Sequence, residues 1–97
     1  MPVGEAVLSN STDPGQNLAA TGSAAAFGTS VPTQIGVMVC SLAANTDKVY
    51  IGCASGVTAA KGIELSPGDR EFFPVNNVNK LYVIAASGTQ NVHAVAL

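Results

Sequence analysis

The sequence predicts an all-β protein: a small antiparallel β-sandwich or jelly-roll-like barrel of about six strands, preceded by an N-terminal arm. Three observations support this class. From residue 33 onward, short apolar segments alternate with turn signals rich in Gly, Pro and Asn. No segment keeps a helical periodicity over about 11 residues. Hydrophobic residues make up 47% of the 97 residues and charged residues only 10%, a composition unlike that of disordered chains.

Residues 1–30 are predicted to form the arm and residues 31–97 the β-domain. The arm is rich in Ala, Ser, Thr, Gly and Asn and contains no Lys or Arg. Residues 13–15 (Asp-Pro-Gly) are a turn signal, and residues 3–8 could form one short strand before it. A flexible arm and an ordered segment both remain open, because chain termini fray unless they are docked.

The first strands of the β-domain follow from their residue types and periodicity. Residues 34–42 are rich in β-branched residues and largely apolar on both faces, which suggests burial on both sides. Residues 44–47 form a turn. Residues 48–53 return as a strand whose alternation is typical of one buried face, and residues 57–59 add a short extended piece.

The later strands are separated by a strong turn at residues 66–69 (Ser-Pro-Gly-Asp), where Pro presets one dihedral and Gly permits the positive one. Residues 70–75 form a short strand. Its adjacent phenylalanines, Phe72 and Phe73, face opposite ways, and we expect Phe72 to be the core anchor. Residues 81–86 and 91–97 are predicted to pair as a final hairpin.

The two cysteines, Cys40 and Cys53, fall on consecutive predicted strands, where they could face each other or lie diagonally. Two cysteines do not make a disulfide framework. They are interpreted as two small buried apolar residues rather than as a bridge formed after cell lysis. Whether they pair stays open.

No catalytic, cofactor-binding or metal site is predicted. His93 is the single histidine, and with only Cys40 and Cys53 beside it, apart from carboxylates, it falls short of a metal-ligand set. A catalytic His would also need a nearby nucleophile and an orienting carboxylate. We interpret it as a residue on a strand face.

Neither the acidic residues near the 66–69 turn nor the aromatic residues are predicted to form a site. Glu64, Asp69 and Glu71 could bind calcium or act as an acid–base pair, but calcium-loop spacing is absent.

A sugar-binding face is a second possibility, and it is the lesser interpretation because aromatics on strands are more often cross-strand partners. The side chains that could line it are Tyr50, Tyr82, Phe72 and Phe73.

Charge and hydropathy exclude two classes of partner. The net charge is −2, and the four basic residues are scattered, whereas nucleic-acid binding needs clustered Lys and Arg. No apolar stretch approaches the ~20 residues of a membrane span, and the first residues lack the pattern of a signal peptide. The low charge on so small a domain predicts that copies of the chain, or a partner, cover part of its surface.

Three stretches, in order, resemble a domain of small virion proteins from tailed bacteriophages: residues 48–52 (KVYIG), 62–69 (GIELSPGD) and 79–85 (NKLYVIA). The resemblance covers residues 45–97. It implies a non-enzymatic protein that decorates or cements the capsid as a homotrimer. The implied partner is the major capsid protein and the implied location is the capsid surface, after synthesis in the host cytoplasm. The alternative is a head-fibre or adhesin-type module that binds a glycan on the host surface.

Overall fold

The computed structural model describes residues 14–97, which form eight β-strands and one turn of 3₁₀-helix. The predicted all-β class is confirmed. The strands are β1 (Gln16–Ala20), β2 (Ala25–Ala26), β3 (Val37–Ser41), β4 (Val49–Gly52), β5 (Ile63–Leu65), β6 (Arg70–Phe73), β7 (Tyr82–Ala85) and β8 (Gln90–Ala96), and the 3₁₀ turn is Val78–Lys80. The described part contains no helix that is long and apolar enough to cross a membrane.

The strands form two antiparallel sheets that pack face to face. The first sheet has the order β1-β8-β3-β6 and the second has the order β2-β7-β4-β5. Only β4 and β5 are consecutive strands that also pair with each other; every other connection passes from one sheet to the other. This winding is that of a jelly roll, a double-sheet architecture of eight strands.

The same winding shows that two predicted pairings are wrong. The predicted strands at residues 34–42 and 48–53, which the turn at residues 44–47 would join as neighbours in one sheet, do not pair, because β3 and β4 lie in opposite sheets. Residues 81–86 and 91–97 do not form a hairpin either, because β7 and β8 are also in opposite sheets. The short connections are arches between the sheets rather than hairpin turns.

The described sandwich begins before the predicted boundary at residues 30 and 31. β1 pairs with β8, and β2 pairs with β7. Phe27, in the connection that follows β2, is a fully buried member of the core. Residues 14–30 are thus part of the sandwich. The strand predicted within residues 3–8 lies outside the described residues.

The core lies between the two sheets and takes alternate residues from each strand, as the period of two along a strand requires. The first sheet contributes Val37, Val39, Val92 and Ala94, and the second contributes Val49, Ile51, Val83 and Leu65. Phe27, Val78 and Leu81 join this cluster from outside the strands. Alternate burial is clearest on β8, where each buried residue is followed by a half-buried or exposed one.

The expectation that Phe72 anchors the core is wrong, because Phe73 is the inward residue of the pair. Phe73 pairs with the fully buried Val37, and only 9% of it is exposed. Phe72 pairs with Met38 on the outer side of the sheet and is half-buried. Pro74, which would share a face with Phe72 if the strand continued, lies beyond the end of β6 and is exposed.

A polar network ties the β3–β4 and β7–β8 connections together at one end of the sandwich. Its centre is Gln90, which is 2% exposed. The side-chain oxygen of Gln90 accepts hydrogen bonds from the backbone N–H groups of Thr46 (2.9 Å) and Asp47 (3.2 Å). Its amide nitrogen donates to the Ser87 carbonyl (2.9 Å) and to the Thr46 hydroxyl (3.2 Å). All four polar contacts of this buried side chain therefore hold the two connections.

Asn45 and Asp47 extend the network to the surface. Asn45 donates to the Asn91 carbonyl (2.8 Å) and accepts from the Asn91 N–H (2.8 Å). Asp47 accepts from the Ser87 hydroxyl (2.6 Å) and from the Lys48 N–H (2.8 Å). Because the Ser87 hydroxyl, and then the Lys48 N–H, bind its charged form, the pKa of the Asp47 carboxyl lies below its usual value.

Candidate interaction surfaces

His93 lies on the outer face of the first sheet and is exposed. In the register of the strands, Asn17 is opposite it on β1 and Cys40 is opposite it on β3, with Arg70 beyond Cys40 on β6. His93 therefore has the strand-face position that the sequence predicted. In residues 14–97 no group of three or more His, Cys, Asp or Glu side chains is placed to hold a metal ion.

The acidic residues near the 66–69 turn are not gathered into one site. Glu64 on β5 forms an ion pair with Lys48 (3.6 Å) in the second sheet. Asp69 accepts a hydrogen bond from the Ser66 N–H (3.0 Å) and so closes its own turn. Glu71 belongs to β6 in the first sheet. The turn between β5 and β6 thus separates carboxylates that are close in sequence.

The two cysteines are both free. Cys40 lies on β3 in the first sheet, whereas Cys53 follows β4 of the second sheet. The idea that they face each other across a hairpin is wrong, because β3 and β4 do not pair. Cys40 is half-buried and Cys53 is exposed, so the interpretation of both as buried residues is wrong as well.

The outer face of the first sheet carries a cross-strand row of large apolar side chains. Met38 on β3 is opposite Val95 on β8 and Phe72 on β6, and all three are half-buried. Cys40 continues the apolar surface along β3. We call these four residues, Met38, Cys40, Phe72 and Val95, the apolar face. The strand predicted at residues 34–42 is expected to be buried on both sides. On this outer side, however, its apolar side chains are only half-buried.

The outer face of the second sheet holds the two tyrosines. Tyr50 on β4 is opposite Ile84 on β7, and Tyr82 is the diagonal neighbour of Tyr50. Tyr82 itself lies between two small residues, Gly52 on β4 and Ala26 on β2. Phe72 belongs to the other sheet and Phe73 to the core, so the four aromatics proposed as one sugar-binding face do not share a face.

The β4–β5 connection, residues 53–62, folds over the end of the second sheet. It is anchored by Val57, which is buried against the backbone at two glycines. A Cβ atom at Gly52 or at Gly62 would lie 2.9 Å from a Val57 methyl group, closer than van der Waals contact allows. These glycines let the connection lie flat on the sheet.

One wall of an open depression beside Tyr82 is formed by this connection. The depression is lined by Cys53, Ala54, Ser55, Asn79, Lys80 and Tyr82. Residues 53–55 come from the β4–β5 connection, and Asn79 and Lys80 come from the 3₁₀ turn that precedes β7. This grouping could not be predicted from the sequence, because its members lie in separate segments that only the fold brings together.

No protein-family model matches the sequence, and no curated protein or solved structure is significantly similar to it.

Proposed function

We propose that the chain is a non-enzymatic structural protein of a virion, which decorates or cements the capsid of a tailed phage by binding its major capsid protein. The observation that carries the proposal is the apolar face. A row of Val95, Met38 and Phe72 spans three adjacent strands of the first sheet. Contiguous apolar surface of this kind marks interaction sites in soluble proteins.

Two further arguments favour an assembly role. The jelly-roll architecture occurs in viral capsid and lectin domains, although a fold alone does not specify a function. The chain also has few charged residues, 10% of the total, as expected for a protein whose surface is largely covered by neighbours. The resemblance of residues 45–97 to phage virion proteins adds the capsid as the partner.

We also propose that the chain is a homo-oligomer. The reason is physical: a domain of this length buries only about 60–65% of its unfolded surface and gains stability from association. The number of copies, three, rests on the resemblance alone. Light scattering at micromolar concentration measures the mass of the particle and so the number of copies. A mass of one chain that is stable to dilution and salt would refute the proposed homo-oligomer.

Capsid binding is tested by co-sedimentation with emptied capsids made of the major capsid protein. The test variant is Met38→Ser, at the centre of the apolar face. Its matched control is Ile84→Ser, because Ile84 is also a half-buried aliphatic residue on an outer sheet face, but of the second sheet. We expect capsid binding by the wild type and by Ile84→Ser, and a loss of tenfold or more in Met38→Ser. Such a loss corresponds to about 1.4 kcal/mol.

The experiment distinguishes an error in the proposed function from an error in the proposed contact. If the wild-type chain does not bind capsids, the proposed function is wrong. If both variants bind as well as the wild type, the apolar face is not the contact. Circular dichroism of both variants verifies that the comparison is made between folded proteins.

A further inference from the structure

We propose that the depression beside Tyr82 is a binding site for an acidic pyranose, such as a uronic acid unit of a surface glycan. The site lies on the second sheet, whereas the apolar face lies on the first. Sugar binding at this site is a separate activity from capsid binding and lies on the opposite side of the sandwich.

Tyr82 supplies an aromatic ring whose directly opposite neighbours are small. Its neighbours directly across β4 and β2 are Gly52 and Ala26, so neither residue directly opposite the ring carries a bulky side chain. Tyr82 is half-buried, with its position set by the β7 backbone between two paired strands. A pre-positioned aromatic ring with small flanking residues offers an apolar surface on which the C–H face of a pyranose can stack.

Three side chains that can form hydrogen bonds line the same depression. They are the Ser55 hydroxyl, the Asn79 amide and the Lys80 ammonium. Among the described residues, none of these three side chains is engaged in a hydrogen bond or ion pair. A few convergent donors beside an aromatic surface are the usual composition of a small-molecule site.

The charged side chain that lines the depression is a cation. The described lining of the depression includes Lys80 and no carboxylate. The adjoining hollow, which shares Cys53 and Ala54 with the depression, is lined by a second cation, Lys61. Glu64, the acidic residue on the outer face of this sheet, is already paired with Lys48. The local field therefore favours a sugar that carries a carboxylate over a neutral one.

The chain offers a direct optical test, because it contains no Trp and only two Tyr. In a Tyr50→Phe variant, Tyr82 is the only tyrosine, so tyrosine emission reports on the proposed site. The probes are methyl β-D-glucuronide and the neutral methyl β-D-glucopyranoside. We expect a saturable change with the glucuronide, with a dissociation constant of about 1 mM for so small a ligand. The neutral glycoside should bind about tenfold more weakly.

Two variants locate the site. In Tyr82→Phe, the remaining tyrosine is Tyr50, and its emission should not respond to either sugar. Adding Lys80→Gln to Tyr50→Phe should reduce affinity for the glucuronide about tenfold, to the level of the neutral glycoside, since one charge-assisted hydrogen bond is lost. Backbone amide shifts in the wild-type chain should move at residues 53–55 and 79–82.

Each contrary result refutes the proposal. No saturable emission change and no amide shifts at these residues would mean that there is no sugar site. Amide shifts confined to the first sheet would place binding elsewhere. Equal affinity for both glycosides, unaffected by Lys80→Gln, would remove the acidic sugar as the ligand. None of these results bears on capsid binding, which is measured separately.

Discussion

Replacing Gln90 by Leu tests whether the buried polar network holds the end of the sandwich. The substitution keeps side-chain size but removes all the hydrogen bonds that Gln90 makes. It leaves two backbone N–H groups, of Thr46 and Asp47, and the Ser87 carbonyl without their partners. A buried polar group that loses its partner costs about 1–3 kcal/mol.

The magnitude depends on how far water can replace the lost contacts. Thr46 is exposed and Asp47 is half-buried, so part of the loss is recovered by hydration, and we expect a total of about 2–4 kcal/mol. That is a large share of the ~5–15 kcal/mol that stabilises a small domain. It should lower the urea midpoint strongly while the m-value stays constant.

The matched control is Gln34→Leu. Gln34 is exposed, and its side chain makes no hydrogen bond within residues 14–97, so its replacement should change the free energy of unfolding by less than about 0.5 kcal/mol. Both variants are measured by urea denaturation followed by circular dichroism. If Gln90→Leu is no less stable than Gln34→Leu, the network does not stabilise the fold and the reasoning fails.

Three further predictions concern the core, a tight backbone contact and pH. Phe73→Ala should cost about 3–5 kcal/mol in a thermal or urea melt, and Phe72→Ala clearly less; the reverse order, with no change in the mass measured by light scattering, would contradict the assigned faces. Gly36→Ala should unfold at a lower temperature than the wild type, because a Cβ there would overlap the Phe73 carbonyl oxygen and the Phe72 ring; an unchanged melting temperature would rule this clash out. The pKa of Asp47 in the folded chain lies below the carboxyl's ordinary value of 3.8. Its stabilising effect is therefore fully present above that ordinary value and is lost as pH falls through the lower folded value. As pH falls through this range, the melting temperature of Ser87→Ala, which lacks the hydroxyl that donates to Asp47, should decline less than that of the wild type. An equal decline in both proteins would argue against a stabilising effect of this hydrogen bond.

Much of the local structure could be predicted from the sequence because turns and strands are encoded by neighbouring residues. The turn at residues 66–69, the strands around residues 37–41 and 49–52, and the all-β class all depend on local chemistry. The strand-face position of His93 likewise followed from the alternation of residues 91–97. Such features need only the period of two along a strand and the dihedral preferences of Gly and Pro.

The face of each aromatic residue could not be predicted in the same way. Phe72 and Phe73 are adjacent and identical, so the sequence offers no hydrophobic difference between them. The pairing of β6 with β3 decides the matter, because it places Phe73 opposite Val37 and Phe72 opposite Met38. The assignment of strands to sheets also separates the two phenylalanines, on β6 of the first sheet, from Tyr50 and Tyr82, on the second sheet.

The strands and turns can be predicted from the sequence, whereas the way in which the strands are wound into two sheets depends on tertiary contacts. An arch between two sheets and a hairpin within one sheet can have similar sequences, because both need a short polar connection between two apolar strands. The choice depends on contacts between residues far apart in the chain. Gln90 reaches Thr46 across 44 positions, and residues 53–55 meet Asn79 and Lys80 beside Tyr82. The buried network and the proposed sugar site exist only because the jelly roll brings these distant segments together.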